Sequence, residues 1–258
     1  MNETRNEPGG ADTAERLGLA QLYSKRIAPT SGWSDMSSSD HFVQFYEADA
    51  FIVNSIAEYV IHGLKSGEIC IVAATGEHLR EIEHLIGSFA TGLNVARAEG
   101  RYIPLDALDT LSEMIVDGMP DADLFSSVIG EILAKAVRSG REIRVFGEMV
   151  GVLGAQGNFE AAICLEDLWN RLRKKYQFSL FCAYPMGGLK HGAADKHMTR
   201  ICDGHSKVIP DESYTALSSA NERLRAIAVL QQRSMQLEAE VAELESRMAS
   251  KQIGIQVA

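Results

Sequence analysis

From His41 onward the chain alternates short apolar runs with longer stretches in which apolar residues recur every three or four positions. "HFVQFY" (41–46) predicts a strand with His41, Val43 and Phe45 on one face and Phe42, Gln44 and Tyr46 on the other. Beyond Glu47, residues Phe51, Ile52, Ile56, Val60 and Leu64 fall on one side of a helix that ends near Gly67. "ICIVAA" (69–74) is continuously apolar, as a parallel strand covered on both faces is, and Leu79, Ile82, Leu85 and Ile86 mark the next helix. "RYIPL" (101–105) predicts a short strand, Asp106 a cap for a helix "ALDTLSEMIV", and Leu124 to Leu133 a longer helix after Pro120. Strand "EIRVFG" (142–147), helix "FEAAICLEDLWNRLRKKY" (159–176) and strand "FSLFCAY" (178–184) complete the set. Such alternation implies βαβ crossovers, hence an α/β fold of three layers around a mostly parallel sheet.

The pattern predicts four parts. Residues 1–39, rich in Ser, Gly and charge, read as a flexible tail with one weakly amphipathic patch, Ala14 to Ala28. Residues 40–186 form the α/β domain, and 187–212 a connector with at most a short helix. From Ser213 to about Met248 neither Pro nor Gly interrupts a helical pattern, and 213–250 is expected to be a long C-terminal helix. Leu217, Ala220, Leu224 and Ile227 make one seam; Leu230, Ser234, Leu237, Val241, Leu244 and Met248 make another after a break in phase. A two-stranded coiled coil, and so a homodimer, is the expected use of these seams.

Composition narrows the function classes. A chain of 258 residues, 46% hydrophobic, suits one α/β domain with extensions. No run of eighteen apolar residues occurs and the N-terminus, "MNETRNEPGG", is polar, so a cytoplasmic protein with no membrane segment is expected. The formal net charge is −10 and the densest basic run is "RLRKK" (171–175), which argues against direct nucleic-acid binding. Cys70, Cys164, Cys182 and Cys202 are widely spaced, and the first three lie in apolar runs, as small buried hydrophobes do.

Candidate chemistry starts at "IVAATGEHLREI" (71–82), a strand, turn and helix start of the kind that can cradle phosphate. A phosphate loop G-x-x-x-x-G-K-[ST] needs glycines, a Lys and a hydroxyl; this junction has one Gly, no Lys and Glu77 at the helix start. A plain turn with Gly76 at positive φ is the expectation. In "VFGEMV" (145–150), Glu148 follows a strand immediately; it either orients a polar ligand at the strand carboxyl ends or begins the next helix and favours its dipole. His41 reads as a satisfied core histidine beside a mixed polar and aromatic strand. His191, His197, Cys202 and His205 crowd the connector, and "CDGH" has a zinc-chelating spacing, but without a second matched pair a solvated linker is expected, with no metal and no cofactor. "HSKVIP" (205–210) resembles a kinase phosphoacceptor box only faintly, because Ser206 stands where an acid is needed.

Taken in order, "HFVQFYE", "IVAATGEH", "GRYIPLDALDTL", "RVFGEMVGVL", "GNFEAAICLEDLWN" and "SLFCAYPM" resemble the MEDS (methanogen/methylotroph, DcmR sensory) domain family, a sensory module related to KaiC and RecA-like ATPases. The resemblance covers about residues 40 to 186, and the segment that follows, to about 248, resembles the one joining such domains to histidine kinase modules. It implies a degenerate RecA-like sandwich that binds a small molecule, a hydrocarbon derivative in the family's proposed role, and passes its state to an output. By matching position it carries over His41, Tyr46, Glu47, Gly147, Glu148, Glu166, Trp169, Asn170, Cys182 and Tyr184 as ligand-binding candidates with no catalytic residue. Neither a helix-turn-helix before the domain nor a PAS or kinase module after it is expected from these residues, so output is expected to act through a partner, a histidine kinase or regulator. The rival expectations are a RecA-like nucleotide-binding enzyme with an atypical site, in which Glu148 activates water, and a pure interaction scaffold.

Overall fold

The computed structural model describes residues 37–89, 92–189, 194–217 and 219–256; the Ala14–Ala28 patch lies outside them. The chain divides after Glu212 into two compact units. The first contains β1 (His41–Tyr46), α1 (Asp49–Lys65), β2 (Ile69–Ala74), α2 (Gly76–Phe89), α3 (Leu93–Ala98) and β3 (Tyr102–Asp106). It continues with α4 (Ala107–Ser112), β4 (Ile115–Val116), β5 (Met119–Pro120), α5 (Ala122–Val137), β6 (Ile143–Gly147) and α6 (Met149–Ala155). Then come α7 (Phe159–Lys175), β7 (Ser179–Pro185), a 3-10 turn (Met186–Leu189), α8 (Ala194–Asp203), β8 (Lys207–Ile209) and the start of α9 (Glu212–Thr215).

Six strands form one sheet in the order β3-β2-β6-β7-β1-β8, every pair parallel. Strand alternation sorts the core into two layers, as the apolar runs predict. Val43, Phe45, Ile71, Val145, Leu180 and Tyr184 face Phe125, Leu153, Leu165 and Trp169 on one side. Phe42, Tyr46, Val72, Phe146 and Phe181 face Phe51, Ile56, Val60 and Ile82 on the other. Each such large side chain, removed from water, contributes roughly 1.5–3 kcal/mol. The α/β, three-layer, parallel expectation is therefore met.

Local chemistry sets the boundaries. Asp106 caps α4 as expected, its side chain accepting the N–H groups of Leu108 and Asp109. The helix nevertheless stops at Ser112, because Ile115–Val116 pair antiparallel with Met119–Pro120 in a small hairpin that places Met114, Ile115 and Pro120 against the core. Gly76 does not have a positive φ. It opens α2, and a Cβ there would lie 2.9 Å from Asp106 Oδ2, so close approach to that carboxylate explains the glycine. At Gly151 a Cβ would meet the Ala183 carbonyl oxygen at 2.3 Å, which lets α6 lie directly on β7.

The connector differs most from its reading. Residues expected to link domains instead form α8 and the edge strand β8, which pairs Lys207, Val208 and Ile209 with Phe42, Val43 and Gln44. Lys207 and Val208 are exposed, so no apolar run betrays the strand. Ser206 completes the tie: its N–H and its hydroxyl both donate to the His41 carbonyl.

In the second unit the helix α10 spans Ala220–Gln256, but it is not continuous from Ser213: α9 ends at Thr215. Along α10, Leu224, Leu230, Leu237, Val241, Leu244 and Met248 are exposed in the single chain.

Candidate functional site

Two groups of polar residues are built on this frame. The first lies between the sheet and α7. Asn158 starts α7 by accepting the Ala161 N–H, and the helical spacing of Glu166, Trp169 and Asn170 then puts all three on its inner face. His41, at the start of β1, and Cys182 and Tyr184 on β7 point into the same layer. His205, just before β8, turns its ring inward until its centroid is 4.0 Å from that of His41.

Glu166 is the hub. Tyr184 Oη donates to its Oε1 at 3.0 Å and the Cys182 thiol to its Oε2 at 3.5 Å. His41 Nε2 is 3.4 Å from Oε2 and His205 Nε2 3.5 Å from Oε1. Burial alone would raise the Glu166 pKa, but the two imidazoles, when protonated, outweigh it and hold the carboxyl well below its usual range. Burial lowers the His41 pKa despite Glu166, and it raises the Cys182 thiol and the Tyr184 phenol, Glu166 adding to both. Asn170 Oδ1 sits 3.1 Å from His41 Nδ1 and also accepts from Arg173.

The second group lies at the carboxyl ends of β1, β2 and β6. Glu148 stands at the N-cap position of α6 but caps nothing with its side chain. That side chain turns back to β2, accepting the Thr75 N–H at 2.8 Å and pairing with His78 Nδ1 at 2.7 Å. Although burial opposes it, this partner, with Asp49 and Glu81 nearby, raises the His78 pKa. Tyr46 is buried, and its phenol is pushed up first by that burial and then by Glu148 and Asp49. At the β1–α1 turn the N–H groups of Glu47 and Ala48 both donate to the Glu212 carboxylate.

At two strand-to-helix junctions a carboxylate of the protein itself accepts backbone N–H groups just before the helix start. Glu148 fills the one at Thr75 and Glu212 the one at Glu47.

The ten sequence candidates therefore separate. His41, Glu166, Asn170, Cys182 and Tyr184 converge in one buried cluster; Tyr46, Glu47 and Glu148 stand at the strand ends. Gly147 and Trp169 pack together, a Cβ on Gly147 falling 3.7 Å from the indole. His205, His78 and Glu212 were not among the candidates. The connector cluster is not one site: His197 stacks on Phe159, and His205 joins His41 rather than Cys202; His191 lies outside the described residues.

The fold and site define a parallel α/β domain whose polar residues are drawn inward, with protein carboxylates at two of its strand-to-helix junctions. The model of the MEDS family, "MEthanogen/methylotroph, DcmR Sensory domain", matches residues 40–199. The chain belongs to that family. Its match runs past the last core strand β7 and through most of α8, so part of the supposed connector is family sequence. Among solved structures the chain is similar to a KaiC-like protein from the hyperthermophilic archaeon Pyrococcus horikoshii, at 13% identity and a TM-score of 0.45, covering 67% of this chain and 73% of that one. No curated protein sequence matches significantly.

Proposed function

We propose that this protein is a non-enzymatic signal-input module: its MEDS domain binds a small molecule, of the hydrocarbon-derivative class, and reports through a pair of C-terminal helices to a separate kinase or regulator. The observation that carries the reading is the buried cluster around Glu166, which joins core strands β1 and β7 to His205 at the root of β8. Whatever changes Glu166 or its partners changes the hold on β8, and from β8 the chain leads through Glu212 into the second unit. Membership in a sensory family supports the same reading.

The output element is α10. Its uncovered seam, with Leu237 52% and Leu244 56% exposed, suits a second copy of the same helix. A ligand biases such a pair only by binding its arrangements unequally, and the cluster supplies a place where binding and strand position meet. The carboxylates of Glu148 and Glu212 at the two helix starts argue for sensing over phosphoryl chemistry, because they repel the phosphate a nucleotide would bring.

Native mass spectrometry of the full chain tests this, reporting subunit number and retained small molecules together. A dimer whose mass rises by one small organic molecule per chain is the expected result. A monomer that binds none of a panel of short-chain halogenated and methylated hydrocarbons would overturn it.

A further inference from the structure

We propose that His41, Glu166, Cys182 and His205 form a tetrahedral binding site for a divalent transition-metal ion of the zinc type. The four donor atoms lie within 4.8 Å of one another and all four side chains are buried.

Three observations support a cation. The first is spacing. His41 Nε2 is 3.4 Å from Glu166 Oε2 and 3.4 Å from Cys182 Sγ, and Cys182 Sγ is 3.5 Å from Glu166 Oε2. Ligand lengths of about 2.0–2.3 Å to a tetrahedral zinc give edges of about 3.3–3.6 Å, so this triangle is already one face of the coordination polyhedron. A nitrogen to oxygen separation of 3.4 Å, by contrast, is too long for a good hydrogen bond.

The second is proton placement. The Ile201 carbonyl can only accept, so the 2.5 Å contact places a proton on His205 Nδ1. Asn170 Oδ1, which already accepts from Arg173, does the same for His41 Nδ1. In neutral imidazoles both Nε2 lone pairs are then aimed at the carboxylate. Outer hydrogen bonds of this kind orient metal-ligating histidines, and Tyr184 supplies the matching donor to Glu166.

The third is a buried atom without a hydrogen-bond partner. His205 Nε2 makes no such bond, and Glu166 Oε1 is 3.5 Å away. An ion would draw this fourth donor inward and satisfy it.

Charge closes without a counterion. A divalent ion meets one carboxylate, two neutral imidazoles and a thiolate, the Cys182 proton leaving to solvent as the metal–sulfur bond forms. Imidazole with one thiolate favours zinc over calcium or magnesium, which take oxygen. Such an ion would clasp β1, α7 and β7 to the root of β8. It would give the sensing centre proposed above a resident metal, but metal content is read without any signal molecule, so the two readings fail separately.

The test uses the full chain, reduced, stripped with chelator and titrated with zinc or cobalt. One ion per chain is expected, with a thiolate-to-cobalt charge-transfer band that Cys182→Ser removes while ligand-field absorption persists. His41→Ala and His205→Ala should each weaken zinc binding at least about tenfold. A folded wild type that takes up no stoichiometric ion, or a thiolate band that survives Cys182→Ser, overturns the proposal. Should the histidine variants fail to fold, Asn170→Ala keeps all four ligands: about a tenfold loss of zinc affinity supports the site and unchanged affinity contradicts it.

Discussion

Glu212 Oε1 accepts the Ala48 N–H at 2.7 Å, and the same carboxylate takes the N–H of Glu47. The last residue of the α/β unit thereby supplies the acceptor for two backbone N–H groups at the end of β1, just before α1 begins.

Replacing Glu212 by Ala strips an acceptor from two backbone donors, in the manner of a lost helix cap. A stability loss of about 1 kcal/mol is expected from denaturant titration, with faster amide exchange at Glu47 and Ala48. Glu212→Gln should recover part of it, because the amide still accepts.

His78 and Glu148 give a pH signature at the strand ends. Since the folded pKa of His78 is raised, its charged pair stabilises fully below the unfolded value of about 6.5 and is lost as pH rises through the raised one. His78→Gln should therefore cost about 1.5–3 kcal/mol at pH 6 and progressively less in alkaline buffer. Equal destabilisation at both pH values would show that no charged His78–Glu148 pair stabilises the fold.

Gly151 should tolerate no side chain. A Cβ at 2.3 Å from the Ala183 carbonyl forces α6 off β7, so Gly151→Ala is expected to cost more than about 2 kcal/mol, read as a fall in the thermal midpoint.

The helix seam gives the oligomer prediction. Leu237→Asp with Leu244→Asp puts charges on exposed seam positions of α10 and is expected to yield monomers in sedimentation while the α/β unit keeps its melting transition. A variant that sediments as a dimer would place the interface elsewhere.

The core strands and main helices were legible because burial on both sheet faces writes continuous apolar runs such as "ICIVAA", and helices facing the sheet write a period near four. β8 was not, since an edge strand whose Lys207 and Val208 face water has no apolar run to show. The same gap hid His205. Its chemistry depends on an edge strand placing it against His41, whereas sequence spacing pointed to Cys202 three residues away. Glu166, Asn170, Cys182 and Tyr184 were named through family resemblance; their convergence with His41 needed the register of β7 against β1 and the inner face of α7. Glu148 showed why one sequence can support two readings: it occupies the helix start, yet its side chain serves the neighbouring strand.

On the proposed reading, the cluster around Glu166 governs the hold on β8 and so on the path to the C-terminal helix. Hydrogen exchange on the full chain, wild type against Glu166→Gln, tests it most directly. Faster exchange confined to Lys207–Ile209 and the residues that follow, with α1 and β2 still protected, is the predicted result; wild-type protection at Lys207–Ile209 in the variant would contradict the claim.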